Sequence, residues 1–461
     1  MNEVYVQDLA GNLLITTFDS FHTTENIIFV SPDGNDADTG FKTNPKRSIT
    51  SAIERAAELG FPYIMIANGD YEEDINMIND ILLRGGYQTD WFARDFNTNI
   101  YPVSSNYTLQ FLNVSGPAID GLNIYGNNNS TNETSAVLIN NSNNIVIENC
   151  NIYGSTDGVL GDVYGIYIEN ANYITVKDNI INGGITSGGS THGIKITDSA
   201  KVDIYRNTII GGKGIDGAET NIGIMYEHTL VPEKYYNLFN NFIVGGTQDT
   251  NPSDLCYGVY IKNTNVNIIN NTIDGGGNLY SPEYTYYTYG IFCTDDSGGW
   301  QINPIIINNY ILGGNGDPSY GIFLNNDNGN LSCAIFTNIF NALFCDFYAG
   351  SLYSIAPSIG ALHGGTGADI SEPNPADNLE DTNSPNPKDN PEPVFTDWKN
   401  SNYHINLSST SCSLVEDKGH DGDYNDLYAE EGIIKDIDGI ERDTDGGTNY
   451  RLIDLGADEI N

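Results

Sequence analysis

The sequence predicts an all-β protein, a right-handed parallel β-helix with three strands per coil and an N-terminal capping helix. Three observations favour this fold: a recurring unit, period-two alternation of apolar residues inside it, and an asparagine at the same place in successive units. The stretch YGIYIENANYITVKDNIINGG begins at Tyr164 and returns in altered form from His192 and from Tyr257. A stretch with little obvious chemistry is therefore repeated for an architectural reason.

A glycine opens each repeated unit. Successive opening glycines are 28, 30, 35, 32 and 31 residues apart. They are Gly165, Gly193, Gly223, Gly258, Gly290 and Gly321. Each unit contains three short strands, similar to GIYI, ITV and IIN, and each strand buries one face. Helical repeats need 3.6-residue periodicity, which these units lack, so a stack of parallel strands fits best.

A second marker is an asparagine near the middle of each unit. The marker residues are Asn179, Asn207, Asn241, Asn271, Asn309 and Asn338. Coils stacked at about 4.8 Å bring such side chains into register. We expect them to form an amide hydrogen-bond ladder at one corner, which has a structural role and performs no chemistry.

The ends of the solenoid need caps that cover the open strand edges. SITSAIERAAELGF has helical spacing, and Ser48 is a suitable N-cap for a capping helix. The predicted organisation has five parts, in chain order: an N-terminal extension over 1–26, the N-terminal cap and first coils over 27–104, the parallel β-helix over 105–363, a loop rich in proline, asparagine and acid over 364–393, and a C-terminal segment over 394–461 that packs on or caps the β-helix.

The charge of the chain restricts its partners. Lys and Arg number 19 and Asp and Glu 61, which gives a net charge of −42. Such a surface repels nucleic acid and anionic membranes, and it repels acidic polysaccharides unless divalent cations bridge the two. No apolar run is long enough to span a membrane. The first residues, MNEVYVQDLAGN, lack the basic region and apolar core of a signal peptide.

Two terminal stretches carry a family resemblance. IIFVSPDGNDADTGFKTNPKRSITSAIERA resembles the start of a bacterial family of secreted β-helix proteins, and DIDGIERDTDGGTNYRLIDLGADE resembles the terminal signature of the choice-of-anchor Q group. The matching terminal residues include Asp436, Asp438, Gly439 and Arg442. The resemblance implies the pectin-lyase-like superfamily and an extracellular or cell-surface location. It implies little about activity, because that superfamily contains lyases, hydrolases, tailspikes and adhesins.

In enzymes of this superfamily the substrate lies across the outer face of the first strand of each coil. Aromatic side chains in line on that face suit the apolar faces of sugar rings. The predicted substrate-binding residues on the face and its loops are Tyr167, Tyr260, Phe292, Phe323, Tyr286, Tyr287 and Trp300. In the alternative interpretation, the loops or a second subunit cover this stripe.

Glu169, Lys195 and Glu227 are the predicted catalytic residues on the same face. The two glutamates lie two coils apart, near the upper separation for an inverting glycosidase pair, and Lys195 between them could be the base of a lyase. The alternative is a ladder of exposed ion pairs, Glu169 with Lys195 and Glu227 with Lys262.

Calcium is the predicted cofactor, if there is one. The acidic runs near the C-terminus supply many hard oxygen ligands, but neither follows the EF-hand pattern. The candidate ligands are Asp421, Asp423, Asp436 and Asp438.

Three functions remain open on the sequence alone. The first is a secreted or cell-surface β-helix that binds glycans or neighbouring surface components. The second is a calcium-assisted polysaccharide lyase or glycoside hydrolase that uses the three candidate catalytic residues. The third is a structural subunit of an extracellular assembly that self-associates through VYVQDLAGNLLITTF, a segment able to pair with another chain's strand edge.

Overall fold

The coil runs through three parallel sheets, as the repeat predicts. The computed structural model describes residues 26–129, 132–215, 219–229, 235–248, 255–277, 287–294, 302–307, 309–314 and 319–325, with short strands outside these ranges. Each coil contributes one strand to each sheet, and every pairing in the three sheets is parallel. We call them sheet 1, sheet 2 and sheet 3, in the order in which the chain crosses them after each opening glycine.

The strands of each sheet follow in chain order. Sheet 1 contains Ile75–Asn76, Tyr107–Leu112, Thr134–Asn140, Val163–Glu169, Thr191–Thr197, Thr220–Glu227, Leu255–Lys262, Thr288–Thr294, Ser319–Asn325 and Cys345–Ala349. Sheet 2 contains Ile27–Val30, Tyr63–Ala67, Leu82–Tyr87, Ala118–Asp120, Asn143–Glu148, Asn172–Lys177, Ala200–Tyr205, Tyr235–Phe239, Asn265–Ile269, Ile305–Ile307, Ser332–Phe336 and Asp369–Ile370. Sheet 3 contains Gly69–Glu72, Thr98–Tyr101, Asn123–Tyr125, Asn151–Tyr153, Ile180–Asn182, Thr208–Ile210, Phe242–Val244, Thr272–Asp274, Tyr310–Leu312, Ile339–Asn341 and Leu379–Glu380.

Smaller elements accompany the coil. A three-stranded parallel sheet follows sheet 3 in three coils and consists of Ile185–Thr186, Lys213–Gly214 and Thr247–Gln248. Near the N-terminus, Val6–Gln7 pairs antiparallel with Leu13–Leu14, within the segment predicted to pair with another chain, and that self-association stays a prediction. Phe395–Asp397 and Asn402–Ile405 form a second antiparallel pair.

The capping helix α1 covers Ile49–Leu59, and its predicted N-cap is confirmed. The Ser48 side chain accepts a hydrogen bond from the backbone N–H of Ser51, at 3.2 Å. Gly60 ends the helix in the left-handed conformation, with φ of 67°. The buried face of the helix places Ile49, Ala52, Ile53 and Ala56 against the first coils.

The interior is a stack of isoleucine and valine side chains closed at one corner by asparagines. The predicted amide ladder is confirmed for five of its marker residues. Nδ2 of each asparagine donates to Oδ1 of the next, at 3.0 to 3.1 Å, through Asn179, Asn207, Asn241, Asn271 and Asn309. All five are buried, so the ladder satisfies backbone and side-chain polar groups that water cannot reach. The sixth marker, Asn338, lies outside the described residues.

The inward and outward alternation of side chains in sheet 1 breaks at each opening glycine. A Cβ on Gly165 would lie 2.7 Å from Ile181 Cγ2 in the interior, and the next residue, Ile166, is fully buried as well. Two consecutive residues therefore face inward, and the residue before the glycine is turned to the outer face. The same contact recurs one coil later, where a Cβ on Gly193 would meet Ile209 Cγ2 at 2.6 Å.

Candidate functional site

The outer face of sheet 1 carries a continuous column of side chains in exact cross-strand register. The column runs through Leu138, Tyr167, Lys195, Met225, Tyr260, Phe292 and Phe323. Seven strands at about 4.8 Å make it about 29 Å long. A neighbouring column places Glu169, Thr197 and Glu227 in successive strands, so the two candidate glutamates are two coils apart, as the sequence predicts.

A second outer column was missed by sequence reasoning. It consists of Tyr164, His192, Ile222, Tyr257, Tyr289 and Tyr320. Period-two alternation back from Ile166 turns these residues inward, whereas the break in alternation at the opening glycine turns them outward. The signal that could have found them is the glycine itself, which recurs at one place in six successive strands of the sheet.

The aromatic half of this face forms two stacked ladders. Tyr257, Tyr289 and Tyr320 stack with centroids 5.0 and 5.2 Å apart, and beside them Tyr260, Phe292 and Phe323 stack at 5.2 Å. The six rings are the aromatic sector.

The middle ring of each stack, Tyr289 in one and Phe292 in the other, is covered on both faces by the rings above and below it. Tyr257, Tyr289 and Tyr320 are buried, so the edges that face outward are mainly those of Tyr260, Phe292 and Phe323. Sugar-face stacking on Phe292 is blocked on both sides. The role of these residues in binding remains a prediction. Tyr287 is 45% exposed and stacks on Tyr289 at 6.3 Å.

The other half of the face joins tyrosine hydroxyls to carboxylates. Tyr107 donates a hydrogen bond to Glu133 Oε1 at 2.8 Å, and Tyr164 donates to Asp162 Oδ2 at 3.1 Å. Tyr167 stacks on Tyr164 at 5.0 Å between centroids. The polar sector is this group together with the neighbouring side chains of the same face; its members are Tyr107, Glu133, Asp162, Tyr164, Tyr167, Glu169, His192 and Lys195.

Burial and the carboxylates keep the tyrosine hydroxyls protonated. Burial, reinforced by Glu169, raises the pKa of Tyr167 to about 12. Burial and the hydrogen bond to Glu133 raise the pKa of Tyr107 well above its usual value, and burial with the charge of Asp162 does the same for the pKa of Tyr164. These tyrosines are hydrogen-bond donors beside carboxylate acceptors, which suits recognition of a polyhydroxylated ligand.

His192 is a neutral side chain within this sector. It stacks on Tyr164 at 5.1 Å and is 3% exposed. Burial, with the nearby charge of Lys195, holds the pKa of the imidazole well below its usual value. Its Nδ1 is buried and has no hydrogen-bond partner among the described residues.

The three predicted catalytic residues lie on successive strands and have different partners. Lys262 Nζ lies 3.2 Å from Glu227 Oε1, so this ion pair is present. Glu169 instead accepts a hydrogen bond from the side-chain amide of Asn140. Lys195 Nζ lies 5.7 and 5.8 Å from the ring centroids of Tyr164 and Tyr167. Within the described part of the chain, no carboxylate lies within 4.0 Å of that ammonium, and a catalytic role for the three residues stays a prediction.

The remaining predicted site residues cannot be placed. Tyr286 and Trp300 lie outside the described residues, as do the four candidate calcium ligands, Asp421, Asp423, Asp436 and Asp438. Among the residues that the structure does describe, there is no cluster of three or more metal-binding side chains. In the same part of the chain, none of the helices has the length and apolarity needed to cross a bilayer.

Comparison with solved structures finds likenesses of low TM-score and low sequence identity. Pectate lyase Pel9A aligns over 94% of this chain and 96% of its own, with a TM-score of 0.49 and 13% identity. The chain's own three parallel sheets make it a parallel β-helix protein. The A-module of the Azotobacter vinelandii mannuronan C-5 epimerase AlgE4 aligns over 70% of this chain and 95% of its own, with a TM-score of 0.37 and 14% identity. The tailspike gp49 of Acinetobacter baumannii bacteriophage Fri1, a capsular polysaccharide depolymerase, aligns over 78% and 63%, with a TM-score of 0.42 and 11% identity. These likenesses concern the fold alone.

Sequence comparison is less informative. No family model matches the chain. The uncharacterized protein YwoF of Bacillus subtilis (strain 168) is 27% identical over 171 residues, which are 36% of this chain. The chain spans 31% of the length of that relative.

Proposed function

We propose that the protein is an extracellular or cell-surface β-helix that binds a neutral polysaccharide along the outer face of sheet 1, with the polar sector as the main contact. The observation that carries this proposal is the convergence of three tyrosines and three carboxylates at one end of a straight column about 29 Å long. A linear polymer of sugar units matches a site of that length and regularity.

The chemistry of the polar sector fits sugar hydroxyls. A hydroxyl is both a donor and an acceptor, so it can donate to Glu133 or Glu169 and accept from Lys195. The tyrosine hydrogen bonds hold the carboxylates in place before a ligand arrives, which reduces the entropy lost on binding. The ring edges of the aromatic sector continue the column and add apolar contact for the less polar parts of the polymer.

The charge favours a neutral polymer over an acidic one. The polar sector carries Glu133, Asp162 and Glu169 against the single ammonium of Lys195, on a chain with a net charge of −42. A polyuronate would meet this excess of negative charge at close range, with little screening in a partly buried site. Calcium could bridge the carboxylates of the polar sector and those of an acidic polysaccharide, so acidic polysaccharides are tested with and without that ion.

The proposal is tested by binding of a panel of neutral and acidic polysaccharides, each with and without calcium, followed by sizing of the polymers. We expect a neutral member to bind, and Glu133→Gln combined with Tyr164→Phe to weaken that binding at least tenfold, because the first change replaces a charged acceptor by a weaker neutral one and the second removes a hydroxyl donor from the polar sector. The matched control is Tyr153→Phe, a stacked tyrosine on the outer face of sheet 3.

Two outcomes would contradict the proposal. Equal affinity in the double variant and in the control would exclude the polar sector as the contact. Shortening of a polymer that is lost in Glu169→Gln or Lys195→Ala would instead establish the alternative, a polysaccharide lyase or hydrolase on the same face. The polymer ends would then distinguish elimination, which leaves an unsaturated sugar, from hydrolysis.

A further inference from the structure

The outer face of sheet 2 contains a groove that the sequence did not indicate. Its volume is about 530 Å³, and it crosses four neighbouring strands. Tyr173 and Lys201 line one side, and Thr175, Asp203 and Asn237 line the floor. We call it the Tyr173 groove. It lies on a different sheet from the polar sector and shares no residue with it.

The wall of the Tyr173 groove contains two residues in an unfavourable backbone conformation. Tyr173 has φ of 58° and Lys201 has φ of 52°, both in the left-handed region. One coil earlier, the equivalent position holds Asn144, a residue type that adopts this conformation at little cost. The coil thus accepts asparagine here, and a tyrosine and a lysine in its place are strained.

Packing does not account for this strain. Tyr173 is 55% exposed, so its ring gains little from burial. Lys201 Nζ lies 4.7 Å from the centre of that ring, a cation–π contact that offsets part of the cost. By contrast, Arg206 is left-handed as well, but its guanidinium is held by two hydrogen bonds to Asp178, at 2.7 and 2.8 Å. Strain that neighbouring contacts leave uncompensated is typical of ligand-binding positions.

The floor of the Tyr173 groove is an ordered acceptor. Asn237 Nδ2 donates to Asp203 Oδ1 at 2.7 Å, and Asn237 is itself oriented by a hydrogen bond from Asn267 Nδ2 at 2.9 Å. Burial raises the pKa of the Asp203 carboxyl, and the hydrogen bond from Asn237 and the charge of Lys201 oppose this rise. A carboxylate fixed in this way is prepared to accept hydrogen bonds from a ligand.

We infer that the Tyr173 groove is a second binding site, for a neutral saccharide, on a different face from the polar sector. Lys201 and Asp203 carry one charge of each sign, so the groove favours neither an anion nor a cation. The ring edge of Tyr173, the ammonium, the carboxylate and the hydroxyl of Thr175 together offer the apolar surface, donors and acceptors that a sugar requires. Two saccharide sites on different sheets would let one molecule bridge two polymer strands.

The test uses the full chain with the sheet 1 site already weakened by Glu133→Gln and Tyr164→Phe. Saturation-transfer NMR follows binding of neutral hexaoses of the cello, xylo, manno, malto and laminari series, each at about 10 mM, well above a Kd of about 1 mM. We expect one series to bind, and Asp203→Asn to weaken it at least tenfold while preserving the hydrogen bond from Asn237. Tyr173→Asn should also weaken it at least tenfold, yet raise the melting temperature because it removes the strained residue.

Three results would overturn the inference. The first is that no hexaose binds in the sheet 1 background. The second is that binding persists undiminished in both groove variants. The third is that Tyr173→Asn lowers binding and melting temperature together, which is the signature of general damage. The proposed function fails by a separate result, namely equal binding by the wild type and the sheet 1 background.

Discussion

Replacing Asn241 by alanine is expected to destabilise the coil more than any change of a half-exposed asparagine. Its Nδ2 donates to the backbone oxygens of Ile204 and Phe239, at 2.9 and 2.8 Å, and to Asn271 Oδ1 at 3.0 Å. Its Oδ1 accepts from the backbone N–H and from Nδ2 of Asn207, both at 3.0 Å. Alanine removes all five hydrogen bonds at a position that water does not reach.

The expected loss in free energy of unfolding follows from the backbone groups that Asn241→Ala leaves without a hydrogen-bond partner. The buried N–H of Asn207 loses its acceptor, at a cost of about 2 kcal/mol, and two backbone oxygens each lose a hydrogen bond, at about 1 kcal/mol apiece. The expected loss in free energy of unfolding is therefore about 4 kcal/mol, measured by urea denaturation.

The matched control is Asn151→Ala, at a partly exposed position on sheet 3 where the amide donates to Asn123 Oδ1 at 2.8 Å. The control should cost about 1 kcal/mol or less, because water can replace that single hydrogen bond. A loss for Asn241→Ala that matches the control would refute the view that the ladder stabilises the fold.

Three further changes test other parts of the account. Gly193→Ala should lower the free energy of unfolding, measured by urea denaturation, by about 2 to 3 kcal/mol, because its Cβ would meet a backbone oxygen of the next coil at 2.6 Å. Gly60→Ala has open space around it and should cost only the left-handed strain of about 1 kcal/mol. Burial raises the pKa of Asp274 to about 6, from an ordinary value of 3.8, so its contribution to stability is full below pH 3.8 and is lost as the pH rises through 6. Asp274→Asn should therefore stabilise the protein by about 1 to 2 kcal/mol at pH 7 and by nothing at pH 3.5, as urea denaturation at both pH values would show; an equal gain at both would contradict this. Tyr173→Asn should raise the free energy of unfolding by about 1 kcal/mol, and a decrease in the same assay would disprove the strain at this position.

Much of the coil could be predicted because its determinants are local and periodic. The spacing of the opening glycines, the alternation of isoleucines and the marker asparagines each state one geometric requirement of a stacked strand. The ladder from Asn179 to Asn309 then follows, since equal places in equal coils must lie above one another. The N-cap at Ser48 follows for a similar reason, because a capping residue acts within one turn of helix.

The candidate site was harder to predict because it depends on departures from that periodicity. The break in alternation at Gly165 reverses the facing of Tyr164, and a strict period-two rule does not anticipate two consecutive inward-facing residues. Tyr107 finds its acceptor in Glu133, which is 26 residues away and precedes the next strand of the sheet. That pairing depends on the length of one particular coil. The register of the outer column of sheet 1 follows from the sequence, its role in sugar binding stays a prediction, and the detailed contacts on this face required the structure.

The Tyr173 groove had no sequence signal at all. Tyr173 and Lys201 occupy a position where asparagine stands one coil earlier, and only the backbone conformation shows that they are unusual there. Asp203 and Asn237 come from different coils, 34 residues apart, and meet through strand register.

The most direct test of the central claim is hydrogen–deuterium exchange of the wild-type protein with and without the best-binding neutral polysaccharide. Binding along the polar sector predicts slower exchange in peptides that cover Tyr107–Leu112, Val163–Glu169 and Thr191–Thr197, with no change in the sheet 3 strands Asn123–Tyr125 and Asn151–Tyr153. Unchanged exchange in all three sheet 1 strands, at a polymer concentration that saturates the protein, would contradict the claim that this face binds glycans.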